Sequence, residues 1–177
     1  MNIPPNILGR ASKVKLLVLD VDGVMTDGRI IYGDLGDELK CYDVKDGLGI
    51  VLLRHAGIPT AIITAKRSKV VTKRARDLGI RSVQQNMTNK SRALDKLVKK
   101  YKCDADEICF IGDDIIDLPV LKRVGLAVAV PNGVPEVIKA AHYMTHNPGG
   151  RGAVREITDL ILKAQGKWDE VAGRYDK

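Results

Sequence analysis

Large aromatic side chains are nearly missing from this chain: one Phe, one Trp and five Tyr in 177 residues. Sites for single-stranded nucleic acid set aromatic platforms in a basic groove, and such a row cannot be built here. The formal charge of +7 comes from scattered Lys and Arg. That excess reads as attraction for small anionic substrates, and nucleic acid is not an expected partner. No apolar run approaches the length of a membrane span, so no membrane partner is expected either. Cysteine is scarce and odd in number, with Cys41, Cys103 and Cys109 in no ligand-like cluster. Reduced thiols in a cytoplasmic protein are expected. The start, Met1-Asn2-Ile3-Pro4-Pro5, lacks the basic-then-apolar layout of a secretion signal. Repeats, low-complexity stretches and linkers are also missing, so residues 1–177 are expected to form a single domain.

What is present is aliphatic. A hydrophobic content of 45% with so few aromatics implies a Val, Ile and Leu core, as in parallel sheets buried on both faces. Apolar runs at 14–19, 58–63, 107–111 and 126–130 read as core strands. Helical patterns cover 46–56, 68–78, 89–101, 134–140 and 152–165, two of them closed by Gly57 and Gly79. Residues 29–32 and 38–42 flank a turn-rich segment at 33–37, a hairpin signal over about 28–43. A tail follows from about residue 166. Strands alternating with helices predict an α/β fold: a Rossmann-like open parallel sheet, helices on both faces and a protruding β-hairpin. Ligands in such sheets sit at the carboxyl ends of the strands.

The residues after each strand carry the chemistry. Asp20-Val21-Asp22-Gly23 follows the first strand. Alternation along an extended segment sets Asp20 and Asp22 on one side, where two carboxylates repel unless a cation lies between them. Mg²⁺, a hard ion with oxygen ligands, is the natural candidate. Thr64 follows the second strand and offers a hydroxyl to a phosphate oxygen. Lys90 opens a helix, where anions are already favoured. Gly112-Asp113-Asp114-Ile115-Ile116-Asp117 follows the third strand with more carboxylates than helix capping needs. His55, His142 and His146 are not spaced as a metal set.

This ordered set resembles the four signature motifs of the haloacid dehalogenase superfamily of phosphohydrolases, over residues 15–167. The resemblance implies that Asp20 is the nucleophile and a magnesium ligand. It implies that Asp22 is the general acid and base, with its backbone carbonyl on the metal. Thr64 and Lys90 would hold the phosphoryl group, Asp113 would complete the metal site, and Asp114 and Asp117 would orient it. Backbone N–H groups near Asp22 and Gly23 are candidate donors to the phosphate. The intervals 20–64 and 64–90 are too short for a folded cap domain, so an open site is expected.

Finer motifs, Asp43-Val44-Lys45-Asp46-Gly47-Leu48-Gly49, Gly149-Gly150-Arg151-Gly152 and Ala164-Gln165-Gly166-Lys167, resemble the 3-deoxy-D-manno-octulosonate 8-phosphate phosphatases. These act in lipopolysaccharide precursor synthesis. Nonulosonate 9-phosphate phosphatases are the close rival. Ala65 and Lys66 stand where the octulosonate enzymes typically carry Gly and Arg. A regulatory subunit without activity predicts loss of a motif residue, and none is lost. A protein phosphatase would need a peptide-binding insertion. The implied substrate is a small phosphorylated sugar acid, whose carboxylate needs cations beyond the phosphate site. Lys45, Lys66, Arg74 and Arg151 are the candidates, Arg155 a further one, and Asp46 and Gly47 are expected substrate contacts. The resemblance also implies a homotetramer in which hairpins associate and tails reach neighbouring sites, with Gly149, Gly150 and Gly152 as hinges.

Overall fold

Six short parallel strands form the frame, described by a computed structural model for residues 3–34 and 37–175. Strand β1 (Leu16–Leu19) is central. On one side it pairs with β4 (Thr60–Ile63), which pairs with β5 (Ser82–Gln84). On the other side β6 (Ile108–Gly112), β7 (Leu126–Ala129) and β8 (Tyr143–Met144) follow in order. The register aligns Leu17 with Thr60 and with Cys109.

Alternation along each strand divides the core into two layers. Leu17 and Leu19 join Ile62, Ile111 and Val128 beneath α1 (Pro5–Ala11), α2 (Val44–His55), α3 (Lys69–Asp77) and α7 (Ala153–Ala164). Leu16 and Val18 join Ile63, Phe110 and Ala127 beneath α4 (Lys90–Tyr101), α5 (Leu118–Leu121) and α6 (Pro135–Ala140). Both faces are covered, so these strands carry no polar alternation. Each fully buried Leu or Ile contributes roughly 1.5–3 kcal/mol. Side-chain caps set the helix starts: Asp43 accepts from Lys45 N at 2.6 Å, Ser68 from Val71 N at 3.4 Å and Asn89 from Arg92 N at 3.1 Å. Helix α2 therefore begins two residues before the expected start. Helices α1 and α5 and strands β5 and β8 were not expected; each is short, and β5 carries polar side chains.

The hairpin is present but smaller than its sequence signal. Strand β2 (Ile31–Tyr32) pairs antiparallel with β3 (Glu38–Leu39), Ile31 opposite Leu39. Leu35 and Gly36 of the expected turn lie outside the described residues. Past Leu39 the chain leaves the ladder, because Tyr42 packs partly buried against the core. Ile31, Tyr32 and Leu39 stay exposed, at 44%, 73% and 53%.

The tail departs from expectation. Helix α8 (Trp168–Ala172) docks on its own sheet layer, with Val171 fully buried and Trp168 packed against the core. Gln165 Nε2 donates to Val14 O at 2.8 Å and Lys167 Nζ to Ala56 O at 3.2 Å. Residues 167–171, part of the segment that the resemblance sent to a neighbouring site, thus dock on their own domain. Val171→Ala should lower unfolding stability by about 1–3 kcal/mol, and deletion of the residues after Gly166 by more. Thermal unfolding measures both. Unchanged melting in the deletion would contradict this docking.

Candidate active site

The chain runs from β1 to β4 on one side and returns to β6 on the other, so the carboxyl ends of these three strands meet at a topological switch point. A cavity of about 250 Å³ opens there, lined in part by Asp20, Asp22, Thr64, Lys66, Lys90 and Asp113. All four motifs reach it. Thr64 is buried and is not the cap of α3, which Ser68 supplies.

Lys90 is the buried centre of the cluster. Its side chain is 1% exposed, with Nζ 2.9 Å from Asp20 Oδ1 and 2.6 Å from Asp117 Oδ1. Burial opposes its charge, but Asp20 and Asp117 outweigh burial and raise its pKa. Burial raises the Asp20 pKa, Lys90 pulls it back and Asp117 adds to the rise. Asp117 has little capacity left, since Oδ2 also accepts from Asp113 N at 2.9 Å and Asp114 N at 3.3 Å. Asp114 accepts from Ile115 N at 2.7 Å.

Asp113 has spare capacity. Its Oδ1 is buried and has no hydrogen-bond partner among the described residues. Burial, then the charges of Asp20 and Asp117, push its pKa up to about 8. Its carboxyl presses against Gly23, where φ is +88° and any side chain would overlap it. Carboxylate oxygens of Asp20, Asp113 and Asp117 lie within 4.8 Å of one another. An orphaned oxygen in an all-carboxylate set fits a hard cation. Asp20 and Asp113 are the residues free to hold it, while Asp117 orients the loop.

Several expected contacts are turned elsewhere. The Asp46 carboxylate accepts from Gly152 N at 3.4 Å and Arg155 N at 2.7 Å, binding α2 to the start of α7. Burial raises its pKa to about 6. Arg74 donates to Asp43 O at 3.2 Å, and its guanidinium lies 5.3 Å from the Tyr42 ring centre. Its outer nitrogen takes the space that a side chain on Gly47 would need. Asp46, Gly47 and Arg74 therefore hold the frame and do not line the cavity. Lys45 and Arg151 are exposed and do not line it either, and Arg155 pairs with Asp159 at 2.7 Å. Gly23 N, one of the expected phosphate donors, donates to Thr26 Oγ1 at 3.3 Å. Gly149 abuts the Gly23 carbonyl with no room for a side chain, and Gly149 N donates to Asn132 Oδ1 at 2.7 Å. That is close packing, not hinge freedom.

Sequence reasoning did not reach Lys40 or Asn132. Lys40 Nζ bonds Asp22 Oδ1 and lies 2.9 Å from Glu38 Oε1. Asn132 Nδ2 donates to Gly23 O at 2.9 Å, tying the loop after β7 to the Asp20–Gly23 loop. Helix-like or strand-like periodicity carries no signal for either; only their charge and amide type could have drawn notice.

Fold and site define a phosphate-handling hydrolase. Residues 60–157 match the model for haloacid dehalogenase-like hydrolases. The chain is 45% identical to the Salmonella typhimurium 3-deoxy-D-manno-octulosonate 8-phosphate phosphatase, over 97% of this chain and 92% of that protein. Its structure resembles that of the Yersinia pestis enzyme of the same name (TM-score 0.92, 45% identity, 93% of this chain and 89% of that chain). It also resembles the Moraxella catarrhalis enzyme, solved with magnesium, phosphate and KDO (TM-score 0.93, 41% identity, 96% and 97%). The chain belongs to the 3-deoxy-D-manno-octulosonate 8-phosphate phosphatase family of haloacid dehalogenase-like hydrolases.

The Asp113 carboxyl gives a pH signature. Its folded pKa of about 8 lies well above that of a free Asp carboxyl, so between these values the folded chain holds a proton that the unfolded chain releases. The contribution of this carboxyl to metal-free stability therefore falls as pH rises through that window. Metal-free Asp113→Asn should lose less stability than the parent between about pH 5 and about pH 8, read by denaturant unfolding with chelator present. Parallel stability curves would contradict the burial of this charge.

Proposed function

We propose that this chain is a Mg²⁺-dependent phosphatase that hydrolyses 3-deoxy-D-manno-octulosonate 8-phosphate, in the cytoplasm, as a step toward lipopolysaccharide precursors. The observation that carries the proposal is the buried Lys90 between Asp20 and Asp117, beside the unsatisfied oxygen of Asp113, at the floor of an open cavity. The names of the relatives described above favour the eight-carbon substrate over a nine-carbon one.

Two displacements follow. The Asp20 carboxylate attacks phosphorus, and the bond from phosphorus to the sugar oxygen breaks. Asp22 gives that oxygen its proton, and an aspartyl-phosphate remains on Asp20. Water, losing a proton to Asp22, then attacks phosphorus and releases phosphate from Asp20. Thr64 and Lys90 hold the transferring oxygens, a role of positioning and charge complementarity. Asp20, Asp113 and the Asp22 backbone carbonyl would hold Mg²⁺, which would further neutralise phosphate charge. Lys66 lines the cavity and is the cation best set for the substrate carboxylate; Lys45 and Arg151 are exposed cations outside its lining.

Assembly belongs to the same proposal. Ile31, Tyr32 and Leu39 are exposed on a two-stranded ribbon, which is marginal alone in water and has free edges. Ribbons from four copies would bury these side chains in a closed tetramer. Light scattering at micromolar concentration should give four copies, and a stable, active monomer would remove this part.

Asp20→Asn should cut kcat by at least about a thousandfold and still leave the chain folded, because Asp117 keeps its pairing with the buried Lys90. Chelation should abolish activity and added Mg²⁺ restore it. Phosphate release on a phosphosugar panel should give the octulosonate 8-phosphate the highest kcat/KM. Near-parent turnover by folded Asp20→Asn would overturn the mechanism, and a higher kcat/KM for a nonulosonate 9-phosphate would overturn the substrate.

A further inference from the structure

We infer that Lys40, delivered by the hairpin, is a positioning residue for proton transfer between Asp22 and the leaving group. This deepens the reading of Asp22 as proton donor and rests on it. Lys40 follows β3, and its side chain is 0% exposed although the hairpin strands are open to solvent. Its Nζ bonds Asp22 Oδ1 and stands 2.9 Å from Glu38 Oε1. Asp22 lines the cavity and Lys40 does not, so one oxygen of Asp22 is engaged by an ammonium outside the lining of the reaction space.

Two consequences follow from that arrangement. With Oδ1 held by the ammonium, Oδ2 is the atom left to carry the proton toward the departing oxygen. As the proton leaves, Asp22 gains a negative charge beside a fixed, desolvated cation. That contact is stronger in the transition state than in the ground state, and only such contacts accelerate the chemistry. Glu38 on the other side of Nζ fixes the ammonium and offsets part of its charge, so Lys40 need not seek the phosphate. Asp20 has its own cation in Lys90. Nucleophile and proton donor are thus served by separate lysines, one from α4 and one from the hairpin.

A bridge with only a structural role would slow every substrate alike. A role in proton transfer affects leaving groups unequally, because p-nitrophenolate departs without a proton and a sugar alkoxide does not. The test compares kcat/KM for p-nitrophenyl phosphate and for 3-deoxy-D-manno-octulosonate 8-phosphate in the parent, Asp22→Asn, Lys40→Met and Lys40→Arg, each checked for folding by its melting temperature. General acid assistance is worth about 10²–10⁴-fold. Asp22→Asn should lose about that much with the sugar phosphate and far less with the aryl phosphate. Lys40→Met should show the same selective pattern at about 10–100-fold, and Lys40→Arg, which keeps the cation, should recover most of it. If Asp22→Asn is selective but Lys40→Met loses both substrates equally, the inference about Lys40 is overturned while Asp22 keeps its role. If Asp22→Asn itself loses both equally, the proton-donor reading fails and the inference goes with it.

Discussion

One buried ammonium makes the site possible. Lys90 sits out of water between Asp20 and Asp117, close to where Asp113 adds a third carboxyl. Without a cation there, several like charges would be forced together in a poorly solvated place, at a cost of several kcal/mol per ion. The pair also ties the first turn of α4 to the ends of β1 and β6. The same contact therefore sets chain geometry and holds the reactive carboxylate. It does not neutralise everything: Asp113 keeps an unsatisfied buried oxygen and an elevated pKa, a carboxyl suited to a divalent cation.

Around that centre, close approaches replace flexibility. The Asp20–Gly23 loop is clamped from two directions, by Asp113 pressed against Gly23 and by Gly149 packed on the Gly23 carbonyl. Asn132 stitches both through Gly23 O and Gly149 N. Further out, Asp46 secures the start of α7 and Arg74 secures the exit of the hairpin. A rigid rim of this kind suits phosphoryl transfer, in which positioning is most of the catalytic task.

The strands and the residues at their ends were legible because a parallel strand buried on both faces reads as an unbroken apolar run, and Asp20, Thr64 and Asp113 each follow one directly. Lys90 was legible from its place at a helix start. Strand β5 and helix α8 were not, since three mixed residues or a five-residue helix carry no periodicity. Asp46, Gly47 and Arg74 were assigned to the substrate by motif, but their partners come from distant segments that only folding brings near. Lys40 was invisible for the same reason. On a hairpin, period-2 alternation gives the face a residue shares, and nothing local reveals that the residue after β3 brings an ammonium onto Asp22.

The covalent intermediate is the most direct measure of this account. Borohydride reduces an aspartyl-phosphate to homoserine, and peptide mass spectrometry locates the change. Enzyme quenched during turnover with Mg²⁺ and octulosonate 8-phosphate, then reduced, should carry homoserine at position 20 and nowhere else. Homoserine at Asp22 or Asp113, with Asp20 intact, would contradict the account.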